Sequence, residues 1–157
     1  MIINYIFKGD VNMKKVWLML FAVVMIFALM PQQEGQAKLK DGTYKVQYNV
    51  MHSSRNAVSY GNDYFQKPAI VTVKKGKMTA KITINHSNWV KSFKATTGGN
   101  KVVSKNKKKN TRTVKFKVNS LSSSKMTKAK MRVEIPSNNY YHNYTVRLKF
   151  GSVKKIK

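Results

Sequence analysis

Cysteine is absent from this chain of 157 residues. That excludes a disulfide scaffold, a thiolate metal site, a cysteine nucleophile and a lipid-anchored cysteine. Acidic residues are nearly as scarce, with five Asp and Glu against 31 Lys and Arg and a formal charge of +26. So few carboxylates leave little room for paired-carboxylate catalysis or a calcium cage. The three histidines, His52, His86 and His142, are scattered, and no two stand at metal-ligand spacing. There is no phosphate-binding glycine loop, no His-x-x-x-His pair and no nucleophile elbow, so nothing here supports an enzyme. What the chain does have is apolar material: 42% hydrophobic and 11% aromatic residues suffice for a core despite the charge. The length fits one domain, or one domain with appendages.

Residues 1–37 have the composition of an export signal. Met13-Lys14-Lys15 opens it, with 1–12 as an upstream start. The apolar run from Val16 to Met30 follows, and Gly35 and Ala37 supply small residues at −3 and −1 of a cleavage site. The run is 15 residues, short of the about 20 a membrane-spanning helix needs. Cleavage after Ala37 is the expectation, with an uncleaved anchor helix as the alternative. The product, residues 38–157, keeps 28 Lys and Arg and three acids, Asp41, Asp63 and Glu134, for a charge of +25. Residues 151–157 read as a basic C-terminal tail without a wall-sorting signal. The expected destination is outside the cell, free or held to the wall by charge.

The rest reads as all-β. Tyr44, Val46, Tyr48 and Val50 alternate with polar residues, as do Met78, Ala80, Ile82 and Ile84, and again Val114, Phe116 and Val118. Met131, Val133 and Ile135 alternate with Lys130, Arg132 and Glu134. Shorter strands are expected over 69–73, 89–95 and 101–104, and a last one over 140–150. Lys75-Gly76, Thr97-Gly98-Gly99-Asn100 and Pro136-Ser137-Asn138-Asn139 mark turns. Seven to eight short strands, each with one polar face, favour an antiparallel sandwich. The only candidate for a helical turn lies around Val58 to Tyr64.

Three segments carry possible chemistry. Tyr140 and Tyr144 fall on one strand face with His142, Val146, Leu148 and Phe150. They read either as core residues with hydroxyls at the rim or as a phenolate ligand for ferric iron beside a second phenol that donates to it. On a flat strand they stand roughly 13 Å apart, so contact needs a twist or leaning rings. Ser59-Tyr60-Gly61-Asn62-Asp63-Tyr64, closed by Pro68, reads as a capped helical turn able to receive a carboxylate, or as an ordinary loop. Trp89, in Asn85-His86-Ser87-Asn88-Trp89, reads as either core or pocket wall.

Together these segments, with Leu39-Lys-Asp-Gly-Thr-Tyr44 and Lys67-Pro68-Ala69, resemble the NEAT (near-iron transporter) domain of Gram-positive haem-binding proteins over residues 38–150. The resemblance implies an immunoglobulin-like antiparallel β-sandwich, with a short helix next to the ligand pocket and ferric haem b between that helix and the last hairpin. By position, Tyr140 matches the iron ligand, Tyr144 its hydrogen-bonding partner, and Ser59 the propionate contact. Tyr60 matches the distal ring-covering position. Tyr64 and Trp89 match pocket aromatics, and Met131, Val133 and Ile135 would face the porphyrin. The implied function is a secreted or wall-associated haem carrier for iron acquisition, drawing on host haemoglobin or sister NEAT proteins. The charge keeps a second reading open: a cationic module for teichoic acid, membrane or host protein, with Lys105 to Arg112 as its densest cluster. No motif for specific nucleic-acid recognition is present.

Overall fold

The computed structural model describes residues 38–157, so the expected export signal (1–37) lies outside the described residues. Eight strands form: β1 (Gly42–His52), β2 (Ala69–Lys74), β3 (Lys77–Ile84), β4 (Val90–Ala95), β5 (Lys101–Asn106), β6 (Thr111–Val118), β7 (Thr127–Ile135) and β8 (Tyr140–Lys155). All pairings are antiparallel, in the order β4-β7-β8-β1-β2-β3-β6-β5. The two layers of the expected sandwich are therefore one continuous sheet curled over on itself. Alternation decides which side faces in. Val46, Val50, Val71, Ala80, Ile84, Phe116 and Val133 have no exposed surface, while the intervening lysines and threonines point outward.

The curl closes through aromatic contact. Phe93 on β4 and Phe116 on β6 lie toward opposite ends of the strand order, yet their rings stand 5.7 Å apart. Phe65, just after the turn at Tyr60–Tyr64, meets Phe93 edge-on at 5.4 Å. Burying such rings supplies roughly 25 cal/mol for each Å² of apolar surface removed from water. Among the described residues, one hydrophobic core runs from Tyr44 on β1 to Phe150 on β8.

Two differences from the sequence reading concern β8 and the basic cluster. Residues 151–155, set apart as part of a basic tail, are strand and pair with β1. The register shifts on the way: Tyr48 faces Phe150, but Val46 faces Val153, so β8 carries one extra residue there. That bulge reverses the in-out parity beyond Gly151 and turns Lys154 to the outer face, opposite Lys45. The expected basic cluster is also not uniform. Lys107, Lys108 and Lys109 are exposed at the β5–β6 hairpin, but Arg112 is buried.

Candidate haem site

The site is built where the inner face of the β7–β8 hairpin meets the 3-10 turn Tyr60–Tyr64. The hairpin register is direct: Ile135 opposes Tyr140, Val133 opposes His142, and Met131 opposes Tyr144. Residues directly opposite share a face, so both tyrosines stand beside the apolar stripe of β7. Pro136–Asn138 turns the chain between the strands, and Asn139 completes the reversal in the left-handed region at φ 49°. Asparagine tolerates that conformation better than most side chains.

The hydroxyls of Tyr140 and Tyr144 are hydrogen-bonded to each other. The flat-strand separation is thus overcome by rings that lean together. The His142 ring touches both, at 6.0 Å from Tyr140 and 4.4 Å from Tyr144. Burial, the bond to Tyr140, and the charges of Tyr140 and Tyr64 all push the Tyr144 phenol well above the ordinary tyrosine range. Tyr144 therefore keeps its proton at neutral pH. Burial, then Tyr140 and Asp63, also raise Tyr64, which brings a third phenol to the site.

The 3-10 turn is fixed from several sides. Ser59 caps it: the Ser59 Oγ accepts from the Gly61 amide at 3.1 Å. Asn62 Oδ1 accepts from the Val50 amide at 2.9 Å, tying the turn to β1. Lys67 Nζ donates to the carbonyls of Asn62 (2.8 Å) and Phe65 (3.0 Å), holding its far end. A Cβ at Gly61 would stand 3.4 Å from the Met131 sulfur and 3.5 Å from Ser59 Oγ, so glycine lets the turn lie close on β7. The Ser59 hydroxyl proton has no acceptor among the described residues, and a carboxylate is the natural one.

The aromatic wall includes a residue that sequence reasoning treated as ordinary. His86 stacks on Trp89 with ring centroids 4.5 Å apart and meets Tyr64 edge-on at 6.2 Å. It thereby joins the two expected pocket aromatics into one surface. Its positive φ of 46° sets the turn that permits this. The loop beneath is pinned by Arg112, which donates to the Ser87 carbonyl (3.0 Å) and hydroxyl (2.9 Å). Arg112 thus belongs to the wall's support and not to a free basic cluster.

The remaining expected residues divide by exposure. Tyr64, Trp89, Ile135, Tyr140 and Tyr144 are half-buried at the edge of the core. Met131 and Val133 are fully buried and form the floor beneath them. Tyr60, expected over the ring, is 93% exposed and projects from the turn into solvent. The fit to a haem is chemical: an anionic oxygen for ferric iron, a hydroxyl for a propionate, and apolar and aromatic side chains for a porphyrin.

The raised phenols have a measurable consequence. A group whose folded pKa exceeds its unfolded value contributes stability below the unfolded value, here about 10, and loses it as pH rises through the folded one. Burial pushes Tyr48 up as well, with its hydroxyl donating to the Gln66 carbonyl at 2.8 Å. Following tyrosinate absorbance with pH should therefore show Tyr48, Tyr64 and Tyr144 lagging the exposed tyrosines, with the fold losing stability above about pH 10. Simultaneous ionisation of all tyrosines would contradict this.

The comparisons agree with the geometry. The family model for NEAT, described as an iron transport-associated domain, matches residues 37–152. The chain is 40% identical over 149 residues to hemin/hemoglobin-binding protein 1 of Listeria monocytogenes, covering 92% of this chain and 72% of that protein. It is 32% identical to iron-regulated surface determinant protein C of Staphylococcus aureus, covering 88% of this chain and 61% of that one. Among solved structures, the NEAT5 domain of IsdX2, a Bacillus anthracis hemophore, in complex with heme, superposes with a TM-score of 0.68 at 37% identity, covering 71% of this chain and 97% of that domain. A mutant of the same domain, also in complex with heme, gives 0.68 at 38% identity, covering 72% and 97%. With the tyrosine pair, the capped turn and the curled sheet in place, this chain belongs to the NEAT domain family.

Proposed function

We propose that this protein binds ferric haem outside a Gram-positive cell and passes it on for iron acquisition. The observation that carries the reading is the hydroxyl-to-hydroxyl contact of Tyr140 and Tyr144 on an apolar face. A neutral phenol is a poor iron ligand. Tyr144, as donor, favours the ionised form of Tyr140, which then holds the ferric iron. Tyr64, Trp89 and Ile135 cover the porphyrin above a floor of Met131 and Val133, and burial of its apolar surface at about 25 cal/mol per Å² provides most of the affinity. Ser59 receives a propionate. A single axial bond from the protein lets the cargo leave by exchange of one ligand.

The finer assignments follow from this reading. Donors are a host haemoprotein such as haemoglobin or a sister NEAT protein, and the acceptor is another NEAT protein. Export is supported by the leader, with retention near the cell aided by anionic wall polymers. Titrating residues 38–157 with ferric haem tests the reading by absorbance. Saturable one-to-one binding that persists at roughly 0.5 M salt is expected, because apolar burial and an iron bond are screened far less than surface charge. Absence of saturable binding would sink it.

A further inference from the structure

The outer face of the sheet carries a row of cations that haem binding does not use. Strand registers place Lys154 of β8 opposite Lys45 of β1, then Ile70 of β2, Lys81 of β3, Lys115 of β6 and Lys101 of β5. Five lysines thus lie on one line across six adjacent strands. Neighbouring strands stand about 4.8 Å apart, so the row spans roughly 24 Å. Beside it runs a line of hydroxyls and one more cation: Thr43, Thr72, Thr79 and Lys117. A groove of about 540 Å³ opens on this face, lined by Thr72, Lys77, Thr79, Lys81 and Lys115 among others.

Like charges directly opposite one another destabilise a sheet. Lys45–Lys154, Lys81–Lys115 and Lys115–Lys101 are three such pairs in a single line, with no carboxylate between them. Of the three acids of residues 38–157, two are placed elsewhere and the third, Asp41, stands at the β2–β3 edge of the groove beside Lys75. Glu134 pairs with Arg132 at 2.5 Å, Asp63 lies in the 3-10 turn, and Asp41 accepts from the Lys75 amide at the β2–β3 turn. Solubility does not require this arrangement, since interspersed or acidic residues serve it equally well.

We propose that this face is a second binding site, for a linear phosphodiester polymer without bases, of the polyol-phosphate kind. The row matches a string of anionic charges, and the threonines supply donors to phosphate oxygens. The face offers nothing to stack a base on: its residues are lysines, threonines and one half-buried isoleucine. It also lacks an apolar wedge for a bilayer, because the exposed large hydrophobic residues lie off this row. From Tyr144 to Lys154 is ten residues along β8, roughly 33 Å of strand. The polymer and the haem therefore occupy separate ends of one strand, and the protein holds both at once. The inference stands independently of haem binding, and the two are measured separately.

The test uses deacylated poly(glycerol phosphate) as probe and residues 38–157, with and without haem. Replacing Lys45, Lys81 and Lys115 together by Gln should weaken polymer binding about tenfold or more and lower the salt-dependence slope by about 2 to 3. Replacing Lys107, Lys108 and Lys109 by Gln removes the same charge from the β5–β6 hairpin and should change affinity less than about threefold. Neither set should alter haem uptake, which also shows that each variant is folded. A second readout needs no polymer: Lys81→Gln relieves a like-charge contact and should raise the Tm. Equal losses from both triple variants would reduce the face to net charge and overturn the proposal. Tighter binding to single-stranded DNA or to anionic phospholipid vesicles than to the polymer would also overturn it.

Discussion

Tyr140→Ala should abolish ferric haem binding at the concentrations where the unmodified domain saturates. In the proposed site Tyr140 is the iron ligand and Tyr144, whose phenol is raised and whose hydroxyl is bonded to that of Tyr140, is its supporting partner. Removing a partner that only orients a metal ligand typically costs about 10- to 100-fold in affinity. Tyr144→Phe, which deletes the donor and keeps the ring, should fall in that range. Tyr140→Ala, which deletes the ligand, should exceed it and eliminate the ferric-phenolate absorption. The fold should not suffer, since Tyr140 is half-buried at the margin of the core. A phenolate band that persists in Tyr140→Ala would move the ligand to Tyr144, and a histidine-type spectrum would move it to His142.

Phe116→Ala should produce the largest loss of stability. The ring has no exposed surface and meets Phe93 across the interior, which in turn meets Phe65. Truncating a buried phenylalanine costs about 3–5 kcal/mol, the sum of lost transfer energy and the cavity left behind. Domain stabilities are typically about 5–15 kcal/mol, so the variant should melt on the order of 10–20 °C lower. Haem affinity should fall with it, because Phe65 leads directly from the 3-10 turn that carries Ser59. A melting temperature within a few degrees of the parent would mean that the curled sheet does not close through these rings.

Much of the fold was legible because alternation is a local signal. Each inward residue of β1, β3, β6 and β7 could be read two positions from the last. The path of the sheet was not legible. Which strands are neighbours depends on pairings as distant as Gly42–His52 with Tyr140–Lys155, and no local pattern encodes them. The end of β8 was missed for a specific reason: the bulge interrupts the period at Gly151, so the basic residues beyond it looked like a tail. At the site, Tyr140, Tyr144, Ser59, Tyr64 and Trp89 all converge on one region. His86 and Arg112 escaped notice because their parts are purely spatial. One depends on a positive φ that stacks its ring on Trp89. The other reaches 25 residues back along the chain to Ser87 from within a run of lysines. Tyr60 shows the converse, since a residue can match a family position and still stand free of the surface around it.

The neighbouring placement of β1 and β8 also sets an order of events during synthesis. β8 is an inner strand of the sheet, flanked by β7 and β1, although it comes last in sequence among the eight described strands. Until it arrives, β1 lacks one of its two partners and β4-β7 has nothing to join. Folding therefore waits on a contact of high sequence separation, which makes it slow by the standards of small domains. A nascent chain halted before Tyr140 would lack the strand that joins the two halves of the sheet, and the haem ligand with it.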